Sequence, residues 1–444
     1  MRSPWLSVSS LESFGRRIRS RVSDREYLRD ILWQASGNTL AQVLGVAAMP
    51  LLTRLYGPSD FAALNLFTQV VAALAILLTL RFEYLVMVPA EQRESDAVLA
   101  LVARLGAFQV LLWTPVLALL PRYWSWLGGQ GALSQWMWLA PVSAWGVSLA
   151  VAFQQGIQRS GDFRTSARAE FAGRCAYVGW ALIGALALPN IVGLMATTAA
   201  NALGKFAGMW HAGASLVRSS LKHAKVPIGP SLKRMAYSTS LSSSVAVFSG
   251  AAPMLFIGER YGSNALGQYG LVVSTLYLPS QLLGQAIGQV YYQRACRLYA
   301  DKLPFSELLI ETSRNLAWIA VPIYGLIALL APIAYPLVFG PDWRSAGDLA
   351  RWLSLAAALA FISTPLDRTS MVVDAWWYLS AWHLGRAVTT AVVIGVAVML
   401  GLTLNTFIAL LAIQAAAMYL ADWGASLVFS KRNAARRRHA GSAL

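Results

Sequence analysis

Charged residues are scarce in this chain. Only 13% of the 444 residues are Asp, Glu, Lys or Arg, about half of the roughly 25% found in soluble domains. The chain also has only 2 cysteines and 4 histidines, and none of them shows the spacing of a structural zinc site. The composition therefore argues against a soluble domain, a disulfide-bonded scaffold and a metalloprotein.

Catalytic signatures are absent as well. The sequence contains no P-loop, no Ser/His/Asp set and no paired carboxylates of the kind that perform acid–base chemistry. The longest predicted extracytoplasmic loop, residues 122–134, is too short for a folded domain. These absences argue against a membrane polymerase or ligase, and we expect no enzyme activity, no metal and no cofactor.

Long apolar segments are what the chain does contain, because 57% of its residues are hydrophobic. An α-helix needs about 20 apolar residues to cross ~30 Å of hydrocarbon. We predict twelve such segments, at 31–52, 61–81, 97–121, 135–156, 171–189, 190–213, 236–257, 265–288, 308–333, 346–366, 374–399 and 404–429. The predicted fold class is an all-α integral membrane protein with about 12 transmembrane helices.

The basic residues are distributed unevenly, and the net charge of +16 reflects this. If the N-terminus is cytoplasmic, nearly all Lys and Arg fall in cytoplasmic tails and loops, as the positive-inside rule requires. We therefore expect both termini in the cytoplasm and no nucleic-acid partner. The predicted divisions are a basic N-tail (1–30), an N-terminal six-helix lobe (31–218), a basic linker (219–235), a C-terminal six-helix lobe (236–430) and a basic C-tail (431–444).

An internal repeat links the two predicted lobes. Tyr56-Gly57 and Tyr261-Gly262 each occupy a short loop between apolar segments, 205 residues apart. Gly173-Arg174 and Gly385-Arg386, which we expect to open the fifth and eleventh segments, lie 212 residues apart. Each half has an even number of helices, so the repeat is parallel and the lobes are related by a pseudo-two-fold axis along the membrane normal.

Four motifs resemble a known family. Residues 52–61 (LTRLYGPSDF), 80–89 (LRFEYLVMVP), 339–347 (FGPDWRSAG) and 363–366 (STPL) are similar to the signatures of polysaccharide-biosynthesis flippases, of the O-antigen and exopolysaccharide type. These proteins belong to the multidrug/oligosaccharidyl-lipid/polysaccharide exporter (MOP) superfamily. The resemblance implies that the protein moves undecaprenyl-pyrophosphate-linked oligosaccharide from the cytoplasmic to the periplasmic leaflet of a bacterial inner membrane, by alternating access.

Two alternatives remain open at this point. A multidrug/cation antiporter of the same fold would need a membrane-embedded acid, yet no Asp or Glu occurs between residues 31 and 59. A membrane polysaccharide polymerase or ligase would need a large periplasmic loop. The expected partners of a flippase are the lipid-linked oligosaccharide, membrane lipid, H⁺ or Na⁺ as coupling ion, and other polysaccharide-assembly proteins.

Cations within or near the apolar segments are candidates for binding the pyrophosphate, because arginine offers a planar fork to phosphate oxygens and lysine a point charge. These candidates are Arg81, Lys205, Arg104, Arg314 and Arg294. The alternative for each is an interfacial anchor whose head reaches the headgroup region.

The resemblance implies that segments 1, 2, 7 and 8 face a cleft, and their polar residues are predicted to line it, because unpaired amides are not left facing lipid. These residues are Gln34, Asn38, Gln42, Asn65, Gln69, Ser240, Ser243, Tyr277, Gln281 and Gln285. For the serines of segment 7 the alternative is a role in helix packing. Glu83 is the predicted coupling carboxylate, with a structural ion pair to Arg81 as its alternative. Arg54 and Arg260 are predicted to form a periplasmic gate, with simple loop charges as the alternative.

Overall fold

Helices account for almost all of the residues that the structure describes. The computed structural model describes residues 24–119, 136–187, 190–301 and 303–441, and within these ranges there are helices and turns but no strand. The basic residues of 1–23 and the predicted loop 122–134 lie outside the described residues. The helices are α1 (Asp24–Leu55), α2 (Pro58–Thr79), α3 (Gln92–Leu119), α4 (Leu139–Arg159), α5 (Phe163–Ala187), α6 (Asn190–Gly208), α7 (Trp210–His223), α8 (Pro230–Leu276), α9 (Leu278–Ala300), α10 (Ser306–Phe339), α11 (Arg344–Ser363), α12 (Thr369–Val372), α13 (Trp376–Leu400) and α14 (Leu404–Gly441).

The predicted apolar segments fall on these helices wherever the chain is described. Within the described ranges, seven continuous helical stretches are long and apolar enough to cross a membrane, among them Pro58–Thr79, Ser306–Phe339 and Leu404–Lys431. The longest stretch, Pro230–Ala300, contains two of the predicted segments and the turn between them. The protein is therefore a multi-pass helical membrane protein.

Glycine makes the turn inside α8. Gly262 has φ +88°, in the left-handed region that costs glycine nothing and other residues more. The chain therefore forms two helical arms, Pro230 to Tyr261 and Ser263 to Leu276. The first arm contains the predicted segment 236–257, and the second contains the first part of the predicted segment 265–288. A second interruption at Tyr277, two residues before Pro279, separates α8 from α9.

The Tyr-Gly repeat performs the same task in both halves. The Tyr56 hydroxyl donates to the carbonyl of Ala181 at 2.6 Å, near the end of α5. The Tyr261 hydroxyl donates to the carbonyl of Leu402 at 2.8 Å, just beyond the end of α13. Tyr56 thus attaches the turn after α1, and Tyr261 the turn after the first arm of α8, to the end of a helix later in the same half of the chain.

The largest apolar core joins the two halves of the chain. It contains Leu52 and Phe61 from the first half and Ile257, Leu266 and Trp343 from the second. All of these residues lie at the ends of helices that the positive-inside rule places on the periplasmic side. The halves are therefore packed together at the predicted periplasmic end of the molecule.

Candidate functional site

Trp343 closes the predicted periplasmic end of the cleft between the halves. Its side chain is fully buried and its Nε1 donates to the carbonyl of Thr53 at 2.9 Å. Its ring stands edge-on to Phe61, with the centroids 5.1 Å apart. Because Thr53 is in the last turn of α1, its carbonyl has no partner within the helix, and the indole from the other half satisfies it.

Two glycines on the second arm of α8 let α2 come into direct contact. A Cβ on Gly267 would lie 1.7 Å from the carbonyl oxygen of Pro58, and one on Gly270 would lie 1.8 Å from Nδ2 of Asn65. Because the clash at Gly267 is with backbone, glycine is required there for this contact, whereas a larger residue at position 270 would force the Asn65 side chain to move. The side chains of Arg54 and Arg260, predicted to form the gate, are exposed at this end, and the contacts that close it are aromatic and backbone ones.

Arg174, on α5, packs against α1. A Cβ on Gly45 would lie 3.3 Å from the Cδ, Nε and Cζ atoms of Arg174, so glycine provides the space for the guanidinium. The Arg174 Cζ lies 5.4 Å from the ring centroid of Tyr177, a cation–π distance. Gln42, three residues before Gly45 on the same face of α1, has a buried Oε1 without a hydrogen-bond partner.

Arg386 holds the corresponding position in the second half. It is half-buried, and its Cζ lies 5.7 Å from the ring centroid of Trp382. It also interacts electrostatically with the phenols of Tyr269, Tyr277 and Tyr419, on α8, between α8 and α9, and on α14. Its partial burial and its position over Trp382 place Arg386 on a face of α13 that packs against the protein.

Both arginines lie well inside their helices. Arg174 is 11 residues after the start of α5 and Arg386 is 10 residues after the start of α13, which at 1.5 Å per residue is about 15 Å into each helix. No carboxylate lies within ion-pair distance of either arginine among the described residues. An unpaired charge at this depth is costly and marks a functional site by default.

Sequence reasoning missed Arg174 because the predicted segment 171–189 began eight residues too late, and it missed Arg386 because the Gly-Arg pair was taken as a helix start although the predicted segment began at 374. We predicted that Gly173-Arg174 and Gly385-Arg386 open their helices, which is wrong: α5 begins at Phe163 and α13 at Trp376. In α5 the first two turns carry several charged and hydroxyl side chains, which lowers the local hydropathy and hides the start. The Gly-Arg repeat at an offset of 212 residues was the signal that could have identified them.

The polar first turns of α5 form a network with α4 and α6. Lys205 Nζ lies 2.7 Å from Glu170 Oε1, and Gln154 Nε2 donates to the same Glu170 oxygen at 3.0 Å and to the Ser166 hydroxyl at 3.0 Å. The predicted phosphate ligand Lys205 therefore has a carboxylate partner that the sequence did not reveal. A phosphate at Lys205 would have to compete with Glu170.

Arg81 and Glu83 are adjacent at the predicted cytoplasmic end of α2. Arg81 Nη1 lies 3.5 Å from Glu83 Oε1, and Thr79 donates to the other carboxylate oxygen. Burial raises the pKa of Glu83 above its ordinary value of 4.5, opposed by the Thr79 hydrogen bond and the nearby Arg81 charge. Leu80 and Arg81 both have left-handed backbones, with φ 49° and 60°, a strained conformation for non-glycine residues. The structural ion pair is thus present.

The remaining predicted cations are exposed. Arg104 Nη2 donates to the carbonyl of Ala224 and its Nε to that of Ala100 at 3.3 Å, so its side chain points back toward the predicted cytoplasmic end. Arg294 and Arg314 are exposed on α9 and α10. The structure brings none of these three together with Arg174 or Arg386.

The predicted polar lining is spread over several environments. Asn38, Gln42, Gln69, Ser243 and Tyr277 are half-buried, Gln281 is exposed and Ser240 is buried. Gln69 Nε2 lies 3.3 Å from Met254 Sδ, across the two halves, whereas Asn65 abuts Gly270 in the contact described above. The side chains of Gln34 and Gln285 lie outside what the structure describes.

Asp422, on α14, is a buried carboxylate that the sequence analysis did not single out. It is 6% exposed and accepts hydrogen bonds from Ser363 Oγ at 2.6 Å and from the Tyr378 hydroxyl at 3.0 Å. No Lys or Arg is within ion-pair distance of it among the described residues. Among the residues the structure covers, no group of three His, Cys, Asp or Glu side chains forms a metal site.

Comparisons with known proteins identify the family and the fold of the chain. The family described as polysaccharide biosynthesis protein matches residues 51–348, and no curated protein sequence matches the chain significantly. The lipid II flippase MurJ, in an inward closed conformation, superposes with a TM-score of 0.69 at 13% identity, over 90% of this chain and 87% of that one.

Two other solved structures are similar over most of their length. A multidrug resistance MATE family transporter of the MOP superfamily, in an inward-facing conformation, gives a TM-score of 0.64 at 16% identity and covers 88% of this chain and 95% of its own. A MOP superfamily transporter from Pyrococcus furiosus, described as having a binding pocket of reverse polarity, gives 0.63 at 14% identity, with 91% and 96% covered. The proteins that share the fold are transporters and a flippase, not enzymes, in agreement with the sequence analysis. The chain belongs to the polysaccharide biosynthesis protein family and has the fold of the MOP superfamily transporters.

Proposed function

We propose that the protein transports a lipid-linked oligosaccharide from the cytoplasmic to the periplasmic leaflet by alternating access. The observation that carries this proposal is the pair of unpaired arginines, Arg174 and Arg386, about 15 Å deep in two corresponding helices. A pyrophosphate is the anionic part of such a substrate, and two guanidinium groups suit its oxygens.

The energetics of crossing explain why cations belong at this depth. A charged group at the centre of a bilayer costs at least about 2.5–3.5 kcal/mol even where the membrane adapts. Arginines that already lie there lower the cost for a phosphate group, and the phosphate in turn pairs their charges. The oligosaccharide follows through the cleft while the lipid chain stays in the bilayer.

We place the lateral opening for the lipid chain between α1 and α9. These helices meet over only a short stretch, and both carry exposed apolar side chains there, such as Leu40 and Val43 on α1 and Leu283 on α9. The halves are closed at the opposite end by Trp343. This arrangement suits a state that accepts substrate from the cytoplasmic leaflet.

The wider assignment follows from the same proposal. The protein has about twelve transmembrane helices in two lobes related by a pseudo-two-fold axis, both termini in the cytoplasm, and the tail, lobe and linker boundaries given above. It resides in a bacterial inner membrane and serves surface polysaccharide biosynthesis, of O-antigen, capsule or exopolysaccharide, alongside other assembly proteins. Arg81, Lys205, Arg104, Arg314 and Arg294 act as further cations for the pyrophosphate, and the polar residues of segments 1, 2, 7 and 8 line its path.

A multidrug/cation antiporter is the second candidate, and the buried Asp422 favours it. A membrane-embedded carboxylate without a cationic partner is what a coupled ion or a cationic drug would bind. Asp422 also serves a flippase, however, as the residue that binds H⁺ or Na⁺ as coupling ion, and it competes with Glu83 for that role. The two candidates differ in cargo, because a cationic drug is repelled by Arg174 and Arg386.

The experiment compares export of lipid-linked oligosaccharide in inner-membrane vesicles for wild type, Arg174→Gln, Arg386→Gln and the double variant. We expect transport to fall by about tenfold or more in each single variant, since a charge-assisted hydrogen bond is worth about 1.5–3 kcal/mol. Arg351→Gln is the matched control, because Arg351 is exposed on α11 and belongs to no predicted site.

Thermal stability separates a functional role from a structural one. Removing an unpaired charge from mid-membrane should leave the melting temperature unchanged or raise it. Loss of transport at unchanged stability supports the proposal. Loss of both together means that the arginines hold the fold, and full transport in the double variant would refute their assignment.

A further inference from the structure

A cavity lies between α9 and α10, and Arg294 is the only one of its lining residues that the transport path described above uses. The cavity has a volume of about 400 Å³, within the range of ligand pockets. Its walls are two helical stripes: Ile287, Val290, Tyr291 and Arg294 on α9, and Leu308, Thr312, Asn315, Leu316 and Ile319 on α10. The spacings of three and four residues place each set on one face of its helix.

The floor of the cavity is fixed and its rim is open. Tyr291 and Leu316 are each 2% exposed, and the Tyr291 hydroxyl is hydrogen-bonded to Thr369 Oγ1 at 2.8 Å. Val290 and Ile319, at the rim, are 51% and 42% exposed. The shape is therefore a groove with a rigid apolar floor that opens sideways toward the surrounding membrane.

The groove has one polar end and one apolar end. Arg294 lies six residues before the end of α9, roughly 9 Å from that terminus. Ile287 lies two turns deeper, and on α10 the groove runs from Leu308 near the helix start to Ile319, 13 residues or roughly 20 Å into that helix. The charge is thus near the predicted cytoplasmic surface and the apolar part reaches toward mid-membrane.

This polarity is that of a lipid in the cytoplasmic leaflet. An anionic headgroup would lie at Arg294, and a hydrocarbon chain would extend inward along the apolar wall. Arg294 has no carboxylate partner among the described residues, so its guanidinium is available to phosphate. A water-soluble ligand would place its own polar groups against the apolar side chains of the groove, which is unfavourable. An uncharged lipid would leave the Arg294 guanidinium without a partner.

We propose that the groove between α9 and α10 binds the isoprenoid chain of the lipid carrier, with Arg294 on its pyrophosphate, as a loading site in the cytoplasmic leaflet. The choice of an isoprenoid pyrophosphate over other anionic lipids rests on the proposed function. The groove borders the lateral opening between α1 and α9, so a carrier held there has its headgroup at the mouth of the cleft. Arg294 then receives the pyrophosphate first, and Arg174 and Arg386 receive it in mid-membrane.

The test is photolabelling of the full-length protein in phosphatidylcholine nanodiscs with a farnesyl pyrophosphate analogue that carries a diazirine at the end of its chain. We expect the label on α9 or α10 between residues 287 and 319, and displacement of the probe by undecaprenyl pyrophosphate. Val290→Trp should abolish the labelling by filling the groove. Val321→Trp is the matched control, because Val321 is 67% exposed on α10 and is not part of the groove.

Arg294→Ala tests the headgroup end separately, and its exposed position makes misfolding no concern. We expect it to weaken displacement by undecaprenyl pyrophosphate by about tenfold, the effect of losing one charge-assisted contact, whereas Arg297→Ala, also exposed on α9, leaves it unchanged. Labelling outside the groove would overturn the proposal. Displacement of the probe by dioleoyl phosphatidylglycerol as effective as that by undecaprenyl pyrophosphate would also overturn it, because the groove would then be a site for bulk phospholipid.

The labelling requires no transport, so it is independent of the arginine experiment. If the groove is unlabelled while Arg174→Gln still stops export, the loading site is wrong and the flippase assignment stands. If labelling succeeds but deleting the protein leaves export intact, the protein binds isoprenoid lipid without being its transporter.

Discussion

Replacing Trp343 by phenylalanine should open the predicted periplasmic end. The substitution keeps an aromatic ring against Phe61 but removes the donor that satisfies the Thr53 carbonyl. A buried acceptor left unpaired costs about 1–3 kcal/mol. Because this contact joins the two halves, it exists only while that end is closed, and the cost falls on the closed state alone.

The expected shift is therefore large enough to measure. At 1.4 kcal/mol for each factor of ten, the ratio of closed to open molecules should drop by roughly 5- to 150-fold. Spin labels at Ser59→Cys and Ser345→Cys report on the ratio of closed to open molecules. Both serines are exposed, one on each half, beside the contact of Trp343 with Thr53 and Phe61, which we call the seal. The native thiols Cys175 and Cys296 are first replaced by serine. Double electron–electron resonance should show a longer label-to-label distance gaining population in the variant.

A tryptophan outside the seal provides the control. Trp352 is 49% exposed on α11, the helix that Trp343 precedes, and Trp352→Phe should leave the distance distribution as in wild type. If Trp343→Phe folds with normal yield and its distribution is also unchanged, the seal does not set the conformational equilibrium and the reasoning fails.

Three further predictions concern the carboxylates. Because burial raises the pKa of Glu83, the folded protein binds the carboxyl proton more tightly than the unfolded chain does. The free energy of unfolding should therefore fall as pH rises from the ordinary pKa of 4.5 through the raised pKa of the folded state. In melting temperatures recorded over this pH range, Glu83→Gln should abolish the dependence on pH. Lys205→Ala should destabilise the protein by about 1–2 kcal/mol, less than the roughly 3–5 kcal/mol of a fully buried pair, because Lys205 is 17% exposed and its partner Glu170 is 25% exposed. In denaturant unfolding, the double variant Lys205→Ala/Glu170→Ala should recover part of the lost stability. Strictly additive losses in the two single variants would contradict the pairing. Asp422→Asn should keep the fold but abolish stimulation of transport by a proton or sodium gradient in vesicles, and unchanged stimulation would remove Asp422 from coupling.

The helical membrane architecture could be predicted because hydrophobic length is a local property. Every apolar segment needs about 20 residues to span the bilayer, whichever neighbours it has. The Tyr-Gly repeat was also visible, since a tyrosine before a turn glycine is a local pattern. Its partners, the carbonyls of Ala181 and Leu402, lie 125 and 141 residues away and could not be foreseen.

The site was harder to predict because pairing decides what a charge does. Lys205 looks like a free cation in the sequence, yet Glu170 lies 2.7 Å from it. Arg174 looks like a cytoplasmic residue until the start of α5 is known to lie 11 residues earlier. The seal was assigned to Arg54 and Arg260 because charges stand out in an apolar chain, whereas a buried tryptophan such as Trp343 resembles any other core residue.

The most direct test of the account is a reconstituted transport assay with the purified protein. Proteoliposomes would contain fluorescent undecaprenyl-pyrophosphate oligosaccharide in both leaflets, and a membrane-impermeant quencher outside would report how much of it is accessible. The account predicts that nearly all of the lipid becomes accessible over time with wild type and about half, the outer-leaflet share, with Arg174→Gln/Arg386→Gln. Equal quenching with wild type, the double variant and protein-free vesicles would contradict the claim that this protein is a flippase.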